Sequence, residues 1–157
     1  MLLDPVGTTY TYMHVVGLDD IVTEQGPQWA TLEPVFATAK LVAFAEFTCG
    51  IPLRAALKPN QTVVGASISA RHLLPTLIGA RLTFVATLKS VYGKGYGYEF
   101  DVKVLNDLGD TAGEVSVACN VINKERFRER ACRIHNDQLP DTAHGGLERP
   151  ANQAPIA

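Results

Sequence analysis

The sequence predicts an α+β domain: one curved antiparallel sheet wrapped around a single long helix. Three observations carry this. Residues 34–57 form one long, mostly apolar helical stretch. Everything after Pro59 reads as runs alternating apolar and polar side chains, the period of a sheet with one packed and one wetter face. A strand-like segment precedes the helix, and 157 residues suit one domain with a proper core.

Thr8–Val16 (TTYTYMHVV) is rich in β-branched and aromatic residues and predicts a strand. Residues 17–31 carry Asp, Gly, Pro and Gln without periodicity, so a loop is expected, long enough to suggest a lid or an entrance. The helix is expected from Pro34, whose missing N–H suits a first turn, to Leu57. Val35, Phe36, Ala39, Val42, Ala43, Ala45, Cys49 and Leu53 place apolar or small side chains around most of its circumference, the pattern of a buried helix. Gly50-Ile51-Pro52 should kink or end it. Strands are then expected over residues 62–72, 80–92, 96–105 and 111–123, with a hairpin turn at Gly93-Lys94-Gly95 and another at residues 106–110. Residues 124–135 (KERFRERACRIH) predict a short charged helix. Residues 1–135 are thus expected to be one domain, and residues 136–157, with three prolines and little to pack, a disordered tail.

Composition narrows the function. Hydrophobic residues make up 46% and charged residues 19%, an ordinary globular balance, and the formal net charge of −2 argues against non-specific nucleic-acid binding. Three cysteines with no close pair argue against a disulfide framework and a zinc site. The start, MLLDPVGTTY, has no basic segment followed by an apolar one, and the longest apolar run is broken by Lys40, Glu46 and Pro52. A cytoplasmic protein without a membrane span is expected.

Within this order, Pro34-Val35-Phe36-Ala37-Thr38 followed by Ala45-Glu46-Phe47-Thr48-Cys49 resembles the helix of the fluoroacetyl-CoA thioesterase group of the hotdog fold. Gly65-Ala66-Ser67-Ile68-Ser69-Ala70-Arg71-His72 resembles that group's next strand. Residues 79–90 and Glu125-Arg126-Phe127 also fit. The resemblance covers about residues 8–128, and the spacings from Thr38 to Glu46 and from Glu46 to His72 match without a gap. It implies a homodimer, with pairing into tetramers left open. It also implies an acyl-CoA thioester substrate, with coenzyme A as part of that substrate and no separate cofactor, and catalytic roles for Thr38, Glu46 and His72. The group's glycine near the acyl carbonyl falls on Gly65. The phenylalanine gate of its fluoroacetyl-specific member, six residues before the threonine, falls on Leu32, so fluoroacetyl-CoA is not the expected substrate. Leu32 and Phe36 are expected to line an apolar acyl pocket.

The residue types support these roles. A carboxylate in the apolar middle of a helix costs several kcal/mol unless it has partners or faces a cavity; the bland alternative for Glu46 is solvent or an ion pair with Arg71. A histidine such as His72 takes or gives a proton near neutral pH; the alternative is a packed histidine. Thr38, near a helix start, sits where unpaired N–H groups and the helix dipole favour negative charge; the alternative is capping. Cys49, mid-helix among apolar residues, is expected to be inert, and the basic residues of 124–133 to be a solvated face. Thr38 and Glu46 are eight residues apart, about 12 Å along a straight helix. Either Thr38 precedes the regular helix or the two serve one site from different subunits, and the second is favoured.

The expected reaction is thioester hydrolysis, with Glu46 as general base or direct nucleophile, His72 moving protons, and Thr38 with a backbone N–H near Gly65 orienting the carbonyl. Two alternatives remain open at this stage. One is an acyl-thioester hydratase or dehydratase; the other is a module that binds an acyl-CoA or another apolar ligand without turnover.

Overall fold

A computed structural model describes residues 4–136 of the chain. They divide into a unit ending at Asn123 and a second beginning at Lys124. The first unit holds strand β1 (Thr9–Val15), helix α1 (Thr38–Ala55) and strands β2 (Gln61–His72), β3 (Arg81–Tyr92), β4 (Gly97–Leu105) and β5 (Thr111–Asn123). All pairings are antiparallel and the strand order is β1-β3-β4-β5-β2, so β1 and β2 are the edges. The second unit contains helix α2 (Lys124–Asn136), an exposed, charged helix that extends one residue into the segment expected as tail. The expectation for residues 137–157 lies outside the described residues.

The alternation delivers the core. Leu82, Phe84, Ala86 and Leu88 of β3, Phe100, Val102 and Val104 of β4, and Val115, Val117, Cys119 and Val121 of β5 are all buried. They meet Leu41, Ala45, Cys49 and Leu53, every fourth residue of α1, each with no exposed surface. Burial of each large side chain contributes about 1.5–3 kcal/mol. The β3–β4 hairpin turns on Gly93, Lys94 and Gly95, with φ of 59°, 59° and 85°. That left-handed conformation explains the two glycines flanking the lysine.

Four expectations need correction. Residues 17–31 are not structureless: they wind into three short 3-10 turns, Leu18–Asp20, Val22–Gln25 and Pro27–Trp29. Pro34 is not in a first helical turn. Residues 34–37 are extended, because Val22 N–H donates to the Val35 carbonyl, Phe36 N–H to that of Thr76 and Ala37 N–H to that of Asp20, each at 2.8 Å. These bonds compete with helical ones, and α1 starts at Thr38. Of the two expected effects of Gly50-Ile51-Pro52, a kink or an end, the end does not occur: the helix runs three residues past Pro52 to Ala55, and Pro52 and Leu53 are buried in the core. Finally, α1 is not covered all round: the sheet packs on one side, and Ala39, Ala43 and Phe47 remain exposed on the other, Phe47 at 44%. No helix among the described residues is long and apolar enough to cross a membrane.

Candidate active site

Thr38 and His72 meet, although 34 residues separate them. Thr38 is the first residue of α1, and the capping position before it is Ala37, so its hydroxyl is not spent on capping. His72 is the last residue of β2, where it pairs with Gly113 of β5. Gly113 has Leu41 of α1 packed against it, close enough that a Cβ there would press on the leucine. The start of α1 thereby comes down onto the end of β2. Thr38 Oγ1 and His72 Nδ1 lie 2.9 Å apart. With the ring proton on Nε2, the hydroxyl donates to Nδ1. Nε2 is buried and has no hydrogen-bond partner among the described residues. Burial lowers the His72 pKa below its ordinary 6.5, opposed in part by an interaction with the Leu74 backbone, so the ring is neutral near pH 7.

These two residues stand in the wall of a cleft of about 450 Å³. Leu32, Val35, Phe36, Leu73, Leu74 and Pro75 supply most of the rest of its lining. Leu32 is 47% exposed at the mouth, whereas Phe36 is 1% exposed and turns its ring edge-on to His72, centroids 6.1 Å apart. Leu73, Leu74 and Pro75 were not singled out from sequence. Their adjacency to His72 was the available signal.

Glu46 is elsewhere. It is half-buried two turns further along α1, and its carboxylate lies against Gly65, where any Cβ would collide with it. The strand is irregular at this point, with a register shift between Gly65 and Ser67. The side chain that pairs with Arg71 is Glu114, at 3.0 Å, and not Glu46. Within one chain the six candidate positions therefore split: Thr38, His72, Leu32 and Phe36 share the cleft, while Glu46 and Gly65 form a second locus. Because Thr38 lies within the regular helix, the eight-residue separation stands.

A further buried group was missed. His14 of β1 and Asp20 of the first 3-10 turn approach to 2.6 Å (Nε2 to Oδ2), the Gly17 N–H donates to the same oxygen at 2.9 Å, and Lys40 Nζ is 3.9 Å from Oδ1. Burial raises the Asp20 pKa, but Gly17, His14 and Lys40 together outweigh it and leave it below the ordinary carboxylate value. His14 stacks near Phe44, centroids 4.0 Å apart, and Phe44 lies parallel to Phe36. The sequence signal was a histidine on the inward-facing side of β1 with an aspartate six residues on. Cys49 and Cys119 are buried; burial pushes both thiols up, Cys119 to about 11, with Glu46 adding to the shift. Both are protonated at neutral pH and unsuited to attack. Among the described residues no three His, Cys, Asp or Glu side chains group as metal ligands.

The family model described as fluoroacetyl-CoA-specific thioesterase matches residues 16–125, from the end of β1 into α2. The chain belongs to the fluoroacetyl-CoA-specific thioesterase family. A fluoroacetyl-CoA thioesterase of Streptantibioticus cattleyicolor is 27% identical over 128 residues, covering 80% of this chain and 90% of that protein. The solved structure of the fluoroacetyl-CoA thioesterase FlK superposes with a TM-score of 0.76 at 26% identity, covering 87% of this chain and 98% of that one. A Thermus thermophilus member of the thioesterase superfamily gives 0.74 at 25% identity, covering 85% and 94%. The fold is the hotdog fold, as the resemblance implied, and membership of the fluoroacetyl-CoA-specific thioesterase family makes the chain a thioester hydrolase. Neither the hydratase nor the non-catalytic binding module describes it.

Proposed function

We propose that two copies of this chain together hydrolyse an acyl-CoA thioester, each site taking Thr38 and His72 from one copy and Glu46 from the other. The observation that carries this reading is the split of the candidate residues. Thr38 is hydrogen-bonded to His72, whereas Glu46 lies about 12 Å along the same helix. Two features support assembly. The exposed stripe of α1 carries Ala39, Ala43 and Phe47, and β2 is an edge strand exposed from Gly65 to Arg71. An apolar stripe and an unpaired edge are both satisfied by a second copy related by a two-fold axis.

In the reaction, the Glu46 carboxylate takes a proton from water as the water oxygen bonds to the thioester carbonyl carbon. The Thr38 hydroxyl turns its one proton from His72 Nδ1 to the developing oxyanion, which a backbone N–H near Gly65 also holds. Collapse of that intermediate breaks the carbon–sulfur bond, and His72, neutral near pH 7, passes the proton from Glu46 to the departing thiolate. Direct attack by Glu46, with water then cleaving the anhydride, uses the same residues. No cofactor takes part, and coenzyme A enters as part of the substrate. The related proteins are named for fluoroacetyl-CoA; here Leu32 stands where their gate would be, so that acyl group is not carried over.

The test is subunit complementation. Glu46→Ala and His72→Ala chains are each expected to lose at least a hundredfold in thiol release from acyl-CoA with the fold intact. Refolded together in equal amounts, they should recover about a quarter of the wild-type rate, because half the dimers are mixed and each mixed dimer has one intact site. No recovery in mixtures shown to exchange subunits would place both residues in one chain's site and overturn the shared arrangement.

A further inference from the structure

We infer that the cleft beside Thr38 and His72 selects an apolar acyl chain of about six carbons rather than a two-carbon unit. This rests on the thioesterase reading above and goes beyond it by naming the acyl class. The cleft has about 450 Å³. An apolar cavity of about 150 Å³ holds a benzene ring, so a six-carbon chain and the end of the thiol arm fit together in the larger space. A two-carbon acyl group would leave most of the wall uncovered.

The chemistry of the wall agrees with its size. Val22, Leu32, Val35, Phe36, Leu73 and Leu74 present only hydrocarbon. Its polar side chains are Glu33, Thr38 and His72, and the last two already bond each other. Among the described residues no lysine or arginine lines the cleft that would favour a carbon–fluorine dipole or an acidic acyl group. Of the lining residues, Leu32, Leu73 and Leu74 are between 37% and 47% exposed, an apolar rim that a bound chain would cover. Leu32, lining the cleft and 47% exposed, is a branched aliphatic side chain placed to touch a chain entering it.

The experiment measures thiol release by the full chain from straight-chain acyl-CoAs of about two to about eight carbons, with fluoroacetyl-CoA alongside. The expected kcat/KM rises about fourfold per added methylene, equivalent to about 0.8 kcal/mol each, up to about six carbons, then levels off. The same series on Leu32→Trp, which narrows the mouth at an already exposed position, should move the optimum to shorter chains. A series flat in length, or highest for the two-carbon esters, overturns the inference while leaving the thioesterase reading in place. An unmoved optimum in Leu32→Trp overturns the role of this cleft. Release from no member of the series would instead overturn the thioesterase reading, and the inference with it.

Discussion

His72 is where a single side chain's environment makes a measurable claim. Its folded pKa is lowered by burial, so the neutral ring is favoured by folding. The sign follows: the unfolded chain binds a proton below about 6.5 that the folded chain resists, and any stability tied to this residue is present above that pH and lost as pH falls. The acid limb of kcat/KM attributed to His72 is therefore expected below 6.5. A limb at or above pH 7 that disappears in His72→Asn would contradict the buried, neutral ring. The residue types and spacing of Thr38, Glu46 and His72 were legible in the sequence. Which of them touch was not, because the contact of Thr38 with His72 depends on α1 sitting close over β5, at Gly113, and a glycine's neighbours leave no periodic signal.

At the scale of elements, the segment 17–37 shows how tertiary hydrogen bonds override local preference. It read as a loop running into an early helix. Asp20 changes that: its carbonyl accepts the Ala37 N–H, and its carboxylate gathers His14, Gly17 and Lys40. One residue thus ties β1, the first 3-10 turn and the entry to α1 together, immediately before Thr38. Asp20 is 6% exposed, so removing its charge leaves a half-buried histidine without its partner. Asp20→Ala is expected to cost about 3 kcal/mol, read as a lower urea midpoint at pH 7. The folded pKa of Asp20 is lowered, so its contribution is present above the unfolded value of 3.8 and lost as pH falls. The difference between wild type and variant should therefore shrink on acidification. A variant as stable as wild type at pH 7 would deny the network its role in holding the helix entry. The strands, by contrast, were readable almost to the residue, since a period of two with one buried face admits one register.

At the scale of the molecule, the proposed dimer converts the exposed face of α1 into an interface. Phe47, 44% exposed with the Arg54 guanidinium 4.6 Å from its ring centre, lies on that stripe. Phe47→Glu should weaken association by about 2 kcal/mol per copy, counted twice by symmetry, which raises the dimer Kd about a thousandfold. Light scattering should then find single chains at concentrations where wild type is paired, and specific activity should fall on dilution. A variant that is monomeric yet fully active would sink the shared site.

From the chain alone one can read the α+β class, the single helix, the strands from Pro59 onward and the three polar residues at family spacing, because amphipathic period and residue chemistry are local properties. The sheet order β1-β3-β4-β5-β2, the true start of α1, the His14–Asp20 pair and the separation of Glu46 from Thr38 and His72 came only with the folded chain. The sheet order, the start of α1 and the meeting of Thr38 with His72 all depend on contacts between residues distant in sequence. Such contacts are set by how curved sheet, helix and loop pack together, and the rigid rise of α1 is what keeps Thr38 and Glu46 of one chain apart.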